Sequence, residues 1–100
     1  MIINATIQVV PLTDIETALG MIDEVIALIQ QSGISYTVGA FETTLEGEYE
    51  EVQQLLKKIE DTCYNQKELQ FLLYTKLHIC GSKDITVQSK TAKFYEPPVK

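Results

Sequence analysis

Residues 2–10 alternate, with Ile3, Ala5, Ile7 and Val9 on one side of an extended chain and Asn4, Thr6 and Gln8 on the other. This is the period-two pattern of a half-buried strand, and Pro11 ends it. Thr13-Asp14-Ile15-Glu16 then fits a capping box. Ile15, Ala18, Leu19, Ile22, Val25, Ile26 and Ile29 recur at helical spacing as one apolar stripe, closed by Gly33. Two short β-type runs, residues 34–38 and 41–45, flank Gly39 as a tight hairpin or bulge, and Gly47 is expected to break the second strand. Glu48, Glu50 and Glu51 open a second helix, whose buried stripe is Tyr49, Val52, Leu55, Leu56, Ile59 and Cys63. After a polar link at 65–68, residues 69–80 form a long fourth strand. Its faces are Phe71, Leu73, Thr75, Leu77, Ile79 and Leu72, Tyr74, Lys76, His78, Cys80. A turn at 81–84 leads to a short returning strand at 85–87, and Glu96-Pro97-Pro98 marks a loose tail.

The order is therefore βαββαβ, an α+β arrangement. Its natural packing is a four-stranded antiparallel sheet with both helices on one face, a ferredoxin-like sandwich. The first strand should lie at the centre beside the third and fourth, leaving one sheet face uncovered by helices. With 100 residues, 45% of them apolar, the chain can build one core. We expect a single domain over residues 1–95 and a flexible tail over 96–100.

The net charge is −6, and the eight basic residues are all lysines, scattered rather than gathered into a stripe. That makes nucleic acid a poor partner, and the missing arginines favour a neutral or cationic ligand over an anionic one. Two cysteines without a CxxC, and a single histidine, leave no metal motif and no reason to expect a cofactor. Cys63 and Cys80 read as reduced, buried or half-buried hydrophobes. The first residues carry no leader pattern, and the longest apolar-rich stretch, residues 19–29, is interrupted by Asp23 and Glu24. A cytoplasmic protein without a membrane segment is expected.

The uncovered face would carry Asn4, Thr6 and Gln8 with Glu42, Thr44, Glu46, Tyr74, Lys76 and His78. Threonine, glutamine, tyrosine and histidine beside Leu72 and Val10 suit a face covered by a second subunit, which predicts a symmetric oligomer packed through its sheets. Ordinary solvated strand residues account for the same composition equally well. His78 without an evident carboxylate partner is weak evidence for acid–base chemistry. Glu42 and Glu46 share a face, and Glu46 is the carboxylate of greater interest.

The run SYTVGAFETTLEGEYEEVQQLLKKIE, residues 35–60, resembles the signature segment of the thiamine-binding, YkoF-like family, also described as MTH1187-like. The strand ending in QVVPL, the Ser32-Gly33 helix end and the closing ITVQSKTAKF agree with it, so the resemblance spans nearly the whole chain. Its most specific element is Thr43-Thr44-Leu45-Glu46-Gly47-Glu48. The resemblance implies a ferredoxin-like fold, a homodimer or homotetramer, and non-enzymatic binding of thiamine or its hydroxymethylpyrimidine part in salvage, transport or buffering. It also implies a ligand site with Thr43 and Thr44 as hydroxyl partners, Glu46 as acceptor, Gln8, and Tyr36 or Phe41 as stacking surface. Two other readings compete with it. One is a dimeric α+β-barrel enzyme of monooxygenase or isomerase type, and the other is a metabolite-sensing regulatory module with a separate protein partner.

Overall fold

The computed structural model describes residues 1–67 and 69–95. The elements run β1 (Ile2–Pro11), α1 (Ile15–Gln31), β2 (Ser35–Val38), β3 (Thr43–Glu48), α2 (Tyr49–Tyr64), β4 (Phe71–His78) and α3 (Val87–Tyr95). The strands form one antiparallel sheet in the order β2-β3-β1-β4. This is the expected ferredoxin-like order, with β1 central. Ile3, Ala5, Ile7 and Leu45 bury one sheet face against Met21, Val25 and Ile29 of α1 and Val52, Leu55, Ile59 and Cys63 of α2. Each large side chain taken fully out of water there contributes about 1.5–3 kcal/mol relative to exposure.

The helix start lies one residue later than the capping-box reading. Asp14, not Thr13, is the N-cap, with its carboxylate accepting from the Thr17 amide at 3.0 Å and the Thr17 hydroxyl at 2.8 Å. Along α1 the core-facing row is Met21, Val25 and Ile29, while Ile15 and Leu19 of the expected stripe are 74% and 52% exposed. At 100° per residue those two sit on the flank of the apolar arc, and only its centre meets the sheet. Gly33 follows the Ser32 C-cap with φ +78°, the left-handed region that a side chain disfavours. Tyr49, assigned to the buried stripe of α2, is exposed instead.

Gly47 does not break β3. It stays in the strand opposite Ile3, and the ladder continues to Glu48 against Ile2. A Cβ at Gly47 would lie 3.1 Å from Ile34 Cγ2 and 3.4 Å from Val52 Cγ2, so the missing side chain lets α2 and Ile34 close over the strand.

The chain after β4 departs most from expectation. No strand forms at 85–87. Ile85 donates one backbone bond to Ile2 O at 2.9 Å, and its carbonyl is then taken by the Asn4 side chain instead of a ladder partner. Thr86 accepts from the Ser89 amide at 3.1 Å and starts α3. Residues 87–91 of this helix lie against one end of the sheet face that we expected to be free of helices. The proposed tail, 96–100, and Glu68 of the expected polar link lie outside the described residues. Cys63 is buried and Cys80 half-buried, and both are free thiols. Among the described residues no helix is long and apolar enough to cross a membrane.

Candidate functional site

Directly opposed residues of an antiparallel pair share a face, so the register lays out the helix-free side in rows. One row is Thr44–Thr6–Lys76 across β3, β1 and β4, and the next is Glu46–Asn4–His78. Above them α3 contributes Val87, Lys90 and Thr91, and sheet and helix together border a cleft of about 310 Å³, roofed on one side and otherwise open to solvent. Pockets for small molecules begin at about this size.

Glu46 ties the roof to the sheet. Its Oε1 accepts from the Val87 amide at 2.6 Å, at the N-terminus of α3, where a carboxylate is favoured by the helix dipole. The same oxygen lies 3.5 Å from Asn4 Nδ2, which donates a shorter bond of 3.0 Å to the Ile85 carbonyl. Asn4 is only 5% exposed, and its Oδ1 has no hydrogen-bond partner. Turning the amide over would not help, because the oxygen would then face two acceptors, Ile85 O and Glu46 Oε1. The orphan is therefore the carbonyl oxygen, a buried acceptor left at a penalty of about 1–3 kcal/mol. At the other end of the row Lys90 Nζ lies 2.9 Å from His78 Nδ1. With lysine protonated, the ammonium donates and the ring nitrogen accepts. His78 thus meets a lysine and not a carboxylate, an arrangement without the base-and-orienter pair of acid–base catalysis.

A second, smaller cavity of about 130 Å³ lies beneath the β2–β3 hairpin, on the helix side of the sheet. Ile7, Val9, Ile22, Val25 and Ile26 wall it, and Phe41 and Thr43 border it.

The sequence-derived ligand residues divide between these places. Thr44 lines the roofed cleft and Glu46 stands at its edge, holding the roof. Thr43, one residue away, points to the opposite face and is buried at the hairpin cavity. Phe41, 84% exposed, borders that cavity, as does the half-buried Gln8, whose register places its side chain opposite Tyr74 on the helix-free face. Tyr36 lies on the edge strand β2, opposite Leu45, and lines neither cavity. Asn4, Thr6, Lys90 and Thr91 were not among the candidates. The available signal was Thr86 with Ser89 three residues on, a helix start in a segment read as a strand. Among the described residues no group of three or more histidine, cysteine, aspartate or glutamate side chains is placed to hold a metal.

The model of a family described as thiamine-binding protein matches residues 5–95. A UPF0045 protein of Clostridium perfringens is 24% identical over 91 residues, covering 91% of this chain and 95% of its own. Among solved structures, a domain of unknown function from Bacillus cereus is 30% identical with a TM-score of 0.84, over 96% of this chain and 92% of that one. A Thermotoga maritima protein, described provisionally as acting in thiamine biosynthesis or salvage, is 28% identical with a TM-score of 0.82, over 94% and 99% of the two chains.

Proposed function

The chain belongs to the thiamine-binding protein family, and we propose that it is a non-enzymatic, cytoplasmic binder of thiamine or its hydroxymethylpyrimidine part, with the roofed cleft as the site. The single observation that carries this reading is the cleft itself, which the Thr6 and Thr44 hydroxyls line together with Asn4. An aminopyrimidine needs hydrogen-bond donors and acceptors for its ring nitrogens and its exocyclic amino group. Thr6 and Thr44 offer hydroxyls that donate to ring nitrogens or accept from the same amino group. The His78–Lys90 contact supports binding over turnover, since no carboxylate orients the imidazole.

The part of the helix-free face beyond α3 carries Leu72 and Tyr74, both more than 40% exposed. A second copy of the chain packed over them, giving a homodimer or homotetramer, would remove that apolar surface from water. Sedimentation showing only monomer at micromolar concentration overturns the oligomer.

Isothermal titration with thiamine, and separately with hydroxymethylpyrimidine, tests the main reading. Saturable binding is expected, weakened by about 1–3 kcal/mol in Thr44→Ala if its hydroxyl bonds the ligand. No heat and no thermal stabilisation with either compound overturns it.

A further inference from the structure

We propose that the outer edge of β4 is a pairing surface for a second copy of this chain, so that two sheets join edge to edge across a twofold axis. Packing over the helix-free face leaves this edge free, so the two interfaces are distinct. In the order β2-β3-β1-β4 the sheet has two edges, and they differ. β2 has four residues, whereas β4 has eight, in unbroken register with β1 on its inner side. Among the described residues β4 makes no backbone hydrogen bond on its outer side. An open strand is a template for another, and folded chains blunt it by shortness, proline, bulges or charge. β2 is short. β4 has no proline and no bulge, and Lys76 is its only residue charged at neutral pH. Leu72, Tyr74 and Leu77 are each more than 40% exposed. Leu77 lies opposite the buried Ala5, on the helix side, where a copy packed over the other face would not cover it.

The strand is complementary to itself. A twofold axis perpendicular to the sheet keeps like faces together, so a residue can oppose only one of the same parity in the copy. Centred on Thr75, the pairing sets Thr75 against itself and Leu73 against Leu77 on the helix side. On the other side Tyr74 meets Lys76 and Leu72 meets His78. Leucine then packs on leucine, threonine on threonine, and an ammonium on a phenol ring, which are favourable cross-strand pairs. The fit is to this strand's own sequence, so the partner is a second copy and not an unrelated extended peptide. On the helix side α2 and β4 border a groove of about 360 Å³ lined by Leu56, Leu73 and Leu77. Its α2 rim carries both signs, Lys57 and Glu60 at 3.6 Å, so a twofold copy brings no uniform like charge against it. Pairing also adds to the cleft. Lys76 and His78 line it, and the partner's Tyr74 and the partner's Leu72 stand one strand spacing, about 4.8 Å, beyond them. This last consequence rests on the cleft being the ligand site.

The test is oxidative cross-linking of the full chain in a Cys80→Ser background, the remaining Cys63 being buried. Thr75→Cys should give a covalent dimer, because opposed Cα atoms about 4.5–5.5 Å apart are within disulfide reach. Thr37→Cys, on the β2 edge and likewise exposed, should not. In sedimentation, Leu77→Lys should raise the dimer dissociation constant about tenfold or more, because each copy then sets a charge against Leu73. Bound thiamine should lower the wild-type constant, since a ligand held by both copies favours the dimer. A wild type that stays monomeric at micromolar concentration overturns the pairing. A dimer that survives Leu77→Lys and gives no Thr75→Cys cross-link also overturns it, and leaves packing through the sheet face standing. Thiamine that binds without changing the constant overturns the partner's part in the cleft. Failure of thiamine to bind overturns the ligand reading alone, and the cross-link still decides the edge.

Discussion

Replacing Asn4 with leucine, a side chain of similar size and shape, separates a structural from a ligand-binding asparagine. The substitution removes the 3.0 Å bond from Nδ2 to the Ile85 carbonyl and leaves that carbonyl without its partner, a loss of about 1–3 kcal/mol. It also removes the orphaned Oδ1, relieving a penalty of about the same size. The two nearly cancel, so Asn4→Leu should change unfolding free energy by no more than about 1 kcal/mol, or a Tm shift of less than about 8 °C for a domain of this size. Thiamine affinity should fall by about tenfold or more, because the cleft loses the polar amide of Asn4 from its lining. Urea unfolding and isothermal titration on the same preparation give both numbers. A variant destabilised by more than about 2 kcal/mol that still binds thiamine like the wild type would refute the reasoning, since Asn4 would then serve only the fold.

Glu46→Ala removes the acceptor of the Val87 amide, so hydrogen exchange should rise across 87–91 while the β1–β3 ladder keeps its protection. Unchanged exchange there would mean that Thr86 alone holds the start of α3. Asp14 gives a pH signature. The bonds it accepts from Thr17, the backbone amide first, lower its pKa below the usual 3.8. A lowered folded value means stability that is present above the unfolded pKa and lost as pH falls through the folded one. The wild type should therefore lose its advantage over Asp14→Asn as pH drops below about 4, followed by circular dichroism during acid titration. A difference that stays constant down to pH 2 would contradict this.

Local pattern alone determined the order of the elements as far as β4 and most of the core. Each of those follows from side-chain periodicity at 2.0 or 3.6 residues, and a helical or extended backbone turns that periodicity into faces without help from distant residues. The family was legible as well, because it is carried by the contiguous segment around Thr43–Glu48. Tertiary structure decided the rest. Thr43 and Thr44 are adjacent in sequence and lie on opposite faces of the sheet, so reading them as one site ignored the pleat. Residues 85–87 have strand-like composition, but a strand needs a free ladder partner, and the Asn4 side chain occupies the Ile85 carbonyl from 81 positions away. That single long-range bond, with Glu46 at the Val87 amide, turns the segment into a helix and places it over the sheet. The cleft exists only once that helix is in place. Eight lysines that look scattered along the chain therefore gave no sign that Lys90 reaches His78. Sequence spacing reports which residues share an element's face, whereas the approach of one element's end to another depends on the packing of the whole domain.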